Sequence, residues 1–367
     1  MGVVSTADRY IESVSDDNDD SIARALNAAS ALSREPLARI MYGQRELFHS
    51  NVLAWFFEEL PGQADEVFRD FTDPGAEPER RVRREFQNMD LVFLWQGRNP
   101  LVIENKVFSL PDPGQLARYD EAIARWQNQP RRLLLGVVPP SVPVPGWAFF
   151  DYRDLADRIE SALAGDPASY EVETMRHYAR MIHRLVDLID TTQIVDLNED
   201  AWLSRDFLSA LESNQLAHAL GKLRGHRVAT LLNEKLGGGV DASLSHGNPV
   251  LTWRRDLVIE GNAVEAGLQL QEGQLRRYLR LPHLEGRSPQ HVAERESYAA
   301  GHPVFFDFAG LARAISVDDV TVIPADGSYL RFNPDFVYRY AKVPRLGIDQ
   351  FLRAIDWAGE TLGSNLA

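Results

Sequence analysis

Asp90-Leu91-Val92-Phe93-Leu94-Trp95, then Gly97-Arg98-Asn99, then Leu101-Val102-Ile103-Glu104-Asn105-Lys106-Val107 is the stretch on which the fold of this chain turns. Both apolar runs have strand length, and Gly-Arg-Asn between them is turn chemistry. Alternate residues of a strand share a face, so Glu104 and Lys106 point one way and Ile103 and Asn105 the other. Two charges facing the same way beside an apolar run are costly unless something uses them. Pairing across the turn would set Asp90, at the start of its strand, beside Glu104 and Lys106.

Outward from this hairpin the pattern alternates between helix and strand. Upstream, residues 20–34 carry a helical stripe of Ile22, Leu26, Ala29 and Leu32. Residues 44–60 form a stronger helix through Leu47, Val52, Leu53, Phe56 and Leu60, stopped by Pro61-Gly62. A short helix over 63–71, a Pro/Gly/acid loop over 73–79 and a strand over 82–87 complete the upstream part. Downstream, Pro113-Gly114 opens a helix over 115–126. The continuous apolar run 133–138 reads as a buried central strand, and 147–150 as a short one. Helices follow over 152–164 and 169–190. This order predicts a three-layer α/β core with a mixed central sheet.

The chain turns polar around Asp196 to Asp200, which sets a boundary between a first domain, 1–195, and a second, 196–367. The second reads as α+β. Helices are expected over 201–215, 217–236, 290–300 and 345–361, a meander over 249–282, and strands over 303–308, 318–323 and 329–332. The Trp, Tyr and Arg residues of 253–280 are more readily the core of a β-rich domain than a stacking surface.

Composition limits the functions open to such a chain. With 44% hydrophobic and 25% charged residues it is globular in type, and its 367 residues suit two domains. No apolar run reaches membrane-spanning length, and no secretory signal is read, so the expectation is a cytoplasmic protein with no membrane partner. The absence of cysteine excludes disulfides, thiolate nucleophiles and cysteine-based zinc sites. The net charge of -14 means that any contact with nucleic acid is local. Arg80-Arg81-Val82-Arg83-Arg84, Arg131-Arg132 and the group Arg276, Arg277 and Arg280 are the candidate basic patches, each weighed against an ordinary solvated face.

The charges of the hairpin suggest their own chemistry. Two carboxylates held close repel, and one is driven toward its neutral form unless a cation relieves them. Magnesium takes oxygen ligands in octahedral geometry, and Asp90 and Glu104, with a backbone carbonyl near Asn105, are the donors. A divalent cation beside a phosphodiester makes water more acidic, and Lys106, one step along the same face, could position that water or stabilise phosphate charge. The bland reading is an exposed aspartate with an edge Glu/Lys pair. Gly237-Gly238-Gly239 lacks the lysine of a phosphate-binding loop.

Glu46-Leu47-Phe48-His49-Ser50-Asn51, then Asp90, then Glu104-Asn105-Lys106, then Gln115-Leu116-Ala117-Arg118-Tyr119, in this order, resembles the PD-(D/E)XK nuclease superfamily. The likeness covers residues 40–165, and Gln115-x-x-x-Tyr119 is similar to the motif of the RecB-like branch. Met89 stands where the motif has proline, a loss common in the superfamily. The resemblance implies a restriction-endonuclease-like fold and a metal-dependent nuclease acting on DNA rather than RNA, with Mg²⁺ as metal and Mn²⁺ as substitute. It implies that Glu46, Asp90 and Glu104 hold metal or its waters, that Lys106 is the catalytic lysine, and that Gln115 and Tyr119, on one helical face, bond the site or the DNA backbone.

Phage defence or DNA processing is the setting that analogy suggests. The rival reading is a catalytically silent or partner-controlled nucleic-acid-binding or regulatory protein on the same fold. For residues 196–367 a homodimer contact and a protein partner are both open. His49, Glu85, His177 and His183 are weighed first as structural residues, and Tyr42 and Arg45 as lesser phosphate contacts.

Overall fold

The computed structural model describes residues 22–364 apart from 74–78, 110–112, 141–143, 195, 204, 212–215, 246–247, 272, 318–321, 325–329, 331–332 and 344. The chain divides into two compact units. One comprises Met1–Thr192 with Asp206–Leu223, the other Gln193–Arg205 with Arg224–Ala367.

In the first unit, α1 (22–33) leads into α2 (Pro36–Glu59), α3 (Pro61–Val67), β1 (Arg80–Phe86), β2 (Met89–Trp95), β3 (Leu101–Lys106), α4 (Pro113–Ile123), β4 (Arg131–Gly136), β5 (Ala148–Asp151), α5 (Tyr152–Ala162) and α6 (Tyr170–Asp190). The strands make one sheet in the order β1-β2-β3-β4-β5. The first three are antiparallel, whereas β3-β4 and β4-β5 are parallel. The expected mixed sheet is therefore observed.

Alternation along the strands explains the layers. Val92, Val102 and Leu134 face Leu116, Tyr119 and Ile123 of α4, with Trp147 closing the cluster. The opposite face belongs to α2 and its neighbours, where Phe57 stacks on Phe93 at 3.7 Å between ring centroids. Phe68 meets both Phe93 and Phe150 edge-on. Burial on both faces is why the central strands read as apolar runs. The turn after β2 needs Gly97, whose φ of +85° suits a residue without Cβ. The β1–β2 hairpin closes on Gln87 and Asn88, both at positive φ, the geometry of a two-residue turn.

Helix α2 begins earlier than the expected residue 44. Pro36 occupies its first turn, where a missing N–H costs nothing, and the apolar stripe is weak enough upstream to hide the start.

The second unit carries a six-stranded antiparallel sheet in the order β10-β11-β9-β8-β7-β6. Its strands are β6 (Val240–Ser245), β7 (Asn248–Ile259), β8 (Asn262–Gln271), β9 (Gln274–Arg280), β10 (Val322–Pro324) and β11 (Phe336–Lys342). Ahead of this sheet in chain order come α7 (Arg205–Leu211), nearly all of it in the first unit, and α8 (Ala217–Leu236), divided between the units after Leu223; α9 (Pro289–Gly301), α10 (Phe308–Ala314) and α11 (Ile348–Ser364) follow the meander. Trp253, Leu268 and Leu279 of the sheet share a core with Leu232 of α8, Leu311 of α10 and Phe351, Ile355 and Leu362 of α11. The aromatic residues of the stretch are thus core, with Trp253, Arg277 and Tyr278 buried, whereas Arg254, Arg255 and Arg280 are exposed.

The meander is as expected, with β6 added. Two expectations are corrected. Residues 303–308 are not a strand but a 3-10 turn, Pro303–Phe306, running into α10. Asp307 caps that helix by accepting from the Gly310 N–H at 2.9 Å, and Pro303 removes a donor that a ladder would need. Strand β11 was not expected, because Tyr338, Arg339 and Tyr340 blur the apolar alternation that marks a strand. Of the expected strand over 329–332 only Leu330 is described; residues 318–321 of the expected strand 318–323 lie outside the described residues, and Val322 and Ile323 belong to β10.

Candidate active site

The register of β2 and β3 decides the geometry. Leu91 pairs with Ile103 and Val92 with Val102, so one step back Asp90 stands across from Glu104. The Asn105 N–H donates to Asp90 Oδ2 at 2.7 Å. Glu104 and Lys106 share the α4 face, and Lys106 Nζ bonds Glu104 Oε1 at 2.8 Å. Lys106 also donates to Gln115 Oε1 at 2.9 Å. Gln115 Nε2 in turn donates to Tyr119 OH at 2.5 Å, and Tyr119 OH donates to the Asn88 carbonyl at 2.6 Å. One chain of bonds therefore runs from Glu104 to the β1–β2 turn.

Glu46 arrives from α2. Its Oε1 accepts from the Phe108 N–H at 3.2 Å, just past the end of β3. Asn105 points away from the carboxylates and ties the elements together behind them. Its Nδ2 donates to the Glu46 carbonyl and to Ser50 Oγ, each at 3.3 Å, and its Oδ1 accepts from Tyr152 OH at 2.6 Å. Glu46, Asp90, Glu104, Asn105, Lys106, Gln115 and Tyr119 thus meet in one neighbourhood, although they come from α2, β2, β3 and α4.

Electrostatics follows from burial. Glu104 is 1% exposed. Desolvation, with the charge of Asp90 next, pushes its carboxyl up to about 7, against the pull of Lys106. Desolvation likewise raises Asp90, opposed by the Asn105 N–H and the Lys106 charge and aided by Glu46 and Glu85. Glu104 Oε2 is buried without a hydrogen-bond partner. An orphaned carboxylate oxygen in a knot of acids is the environment a hard cation satisfies, and oxygen-only donors suit Mg²⁺ or Mn²⁺. The donor chemistry therefore fits a divalent ion, although the oxygens of Glu46, Asp90 and Glu104 do not all lie within 4.8 Å of one another in this structure.

Sequence reasoning missed Lys222. This half-buried lysine of α8 lies close enough to Glu46 and Lys106 for their charges to act on it, and burial lowers its ammonium pKa. A lone lysine more than a hundred residues beyond the motif carries no local mark of such a position.

The lesser candidates separate clearly. His49 is fully buried, with Nδ1 at 3.0 Å from Tyr178 OH and its ring among Phe48, Phe108 and Tyr152. Burial depresses it to about 3, so it is a neutral packing residue. His183 Nε2 lies 3.6 and 3.5 Å from carboxylate oxygens of Asp157 and Glu160, a contact between α5 and α6. The side chains of Tyr42 and Arg45 lie outside the described residues.

Most of the candidate basic patches are engaged. Arg80 holds Asp65 at 2.9 Å, Arg131 holds Asp73 at 2.7 Å and Arg132 holds Asp120 at 2.9 Å. Arg277 is buried over Trp357, and Arg280 pairs with Asp335 at 2.8 Å.

A five-stranded mixed sheet between helical layers is the restriction-endonuclease-like arrangement, and a sheet-borne Asp, Glu and Lys backed by a helical Glu lie within it. Residues 37–137, from within α2 through β4, match the family model of the PD-(D/E)XK nuclease superfamily. This is the superfamily that the sequence resembles. No curated protein and no solved structure matches the chain. Among the described residues, no helix is long and apolar enough to cross a membrane.

Proposed function

We propose that this protein is a metal-dependent deoxyribonuclease that hydrolyses phosphodiester bonds, with Mg²⁺ as its metal and Mn²⁺ as a substitute. The observation that carries the reading is Glu104: one buried oxygen on Lys106, the other without a partner, and Asp90 across the strand pair. Asp90, Glu104 and Glu46 are the residues that would hold the ion, together with the backbone carbonyl near Asn105. A divalent ion there supplies Lewis-acid polarisation of the phosphoryl group and acidification of water.

The other roles belong to the chain's own groups. Lys106 sets a positive charge where the phosphate gains negative charge in the transition state. Gln115 fixes that ammonium, since the Lys106–Gln115 bond is anchored through Tyr119 to the Asn88 carbonyl. The Gln115/Tyr119 pair inclines the reading to the RecB-like branch. By analogy the setting is DNA processing or phage defence, with the second unit, Gln193–Arg205 and Arg224–Ala367, as an accessory domain for a partner or a second copy.

Linear, circular and single-stranded DNA incubated with and without Mg²⁺ tests the proposal. Cleavage should require the metal. Glu104→Gln and Lys106→Ala should each lower its rate by about a hundredfold or more. Intact substrates under every metal, or unimpaired cleavage by both variants, would sink it in favour of a silent nucleic-acid-binding protein.

A further inference from the structure

An open groove of about 760 Å³ lies on the α4 side of the first unit, lined by Gln87, Asn88, Gln115, Tyr119, Arg118, Arg125 and Trp126 among others. It starts at the residue that holds the lysine, since Gln115 both lines it and accepts from Lys106 Nζ. Among the described residues no carboxylate lines it, although the chain carries a net charge of -14. Arg118 and Arg125 are exposed. Seven residues apart along α4 and its closing turn, they stand roughly 10 Å apart at helical rise. Trp126 is half-buried, held by Phe86 at 5.8 Å between ring centroids and by a bond from Nε1 to Gln87 Oε1 at 3.3 Å. The groove thus combines two guanidinium groups, side-chain amides and a fixed indole.

We propose that this groove binds one single strand of DNA leading to the scissile phosphate, with phosphates at Arg118 and Arg125 and a base against Trp126. Guanidinium groups track a phosphate backbone, and an aromatic ring takes any base by stacking, so the pairing recognises a strand without reading its sequence. A cavity of this size encloses a drug-sized molecule, one or two nucleotides rather than a duplex. The proposal rests on the nuclease reading, and it names the form of substrate the site receives.

Fluorescence anisotropy with a short labelled oligonucleotide, the full-length chain and a chelator measures binding with cleavage suppressed. Single-stranded DNA should bind more tightly than the same sequence as a blunt duplex. Arg118→Ala/Arg125→Ala should weaken single-strand binding at least tenfold and flatten its salt dependence by about one unit of slope. Trp126→Ala should weaken it at least fivefold while Trp126→Phe restores most of it. Unchanged thermal melting separates these effects from misfolding. Binding that is absent, that favours duplex, or that survives the double substitution overturns the groove. Failure of the nuclease reading gives a different result: the wild-type chain leaves DNA intact with every metal, whatever the binding data show.

Discussion

Glu104 and Lys222 carry the sharpest consequences at the scale of single residues. With its carboxyl pushed up to about 7 by burial, Glu104 keeps a proton in the folded, metal-free protein that the unfolded chain releases near the usual glutamate value. The folded state binds more protons in that window, so stability is highest below it and falls as pH rises toward 7. The loss is on the order of 3 kcal/mol. Thermal melts in chelator should therefore show the first unit weakening from mildly acidic to neutral pH. Glu104→Gln should flatten that dependence, and a melt that strengthens across the same range contradicts the assignment. Lys222 makes a different demand. A second ammonium within electrostatic range of Glu46 opposes cation binding but favours a phosphate. Lys222→Ala should lower the cleavage rate about tenfold while Mg²⁺ saturates at a lower concentration. A metal titration of the cleavage rate reads both effects, and if neither moves, Lys222 is a bystander.

At the scale of elements, the site depends on a brace behind the sheet. β3 presents Glu104 and Lys106 to one side and Asn105 to the other, so the residue between the charges is the one that locks β2, α2 and α5. Tyr152→Phe would leave the buried Asn105 Oδ1 without its donor, a cost of about 1–3 kcal/mol. The expected result is a lower melting temperature and weaker Mg²⁺ binding, because Asn105 also fixes Asp90 through its N–H. An unchanged metal affinity alongside the lower melt would reduce Tyr152 to a packing residue. On the other face α4 does the same work for Lys106. Its Gln115 and Tyr119 lie one turn apart, and the Tyr119 hydroxyl is stitched to the β1–β2 turn, where the positive φ of Asn88 suits that residue type.

At the scale of the molecule, the division of the chain governs how it can be cut and melted. Asp206–Leu223 is counted with the first unit, and it includes Lys222. A fragment ending at 195 lacks Lys222 and should therefore cleave no faster than Lys222→Ala in the full chain. Faster cleavage by the fragment would mean that the second unit restrains the first. Calorimetry of the full chain should resolve two transitions, only one of which rises with Mg²⁺, since a ligand stabilises the unit that binds it. A single transition that shifts as a whole would tie the two units into one cooperative body.

The sequence by itself determined the order of elements through the first unit, the mixed sheet and the cluster Asp90, Glu104 and Lys106. Those features are local: strand alternation sets which side chains share a face, and a short turn sets which strand is next. It also determined the meander of the second unit, where turns follow strands at short range. Tertiary structure alone decided the rest. Lys222 comes within electrostatic range of Glu46 through a helix remote in sequence, and Asn105 becomes a brace only when α2 and α5 close behind it. β11 pairs with β9 across more than fifty residues. Contacts of that kind are fixed by how the layers pack, and packing leaves no periodicity in the chain for a reader to find.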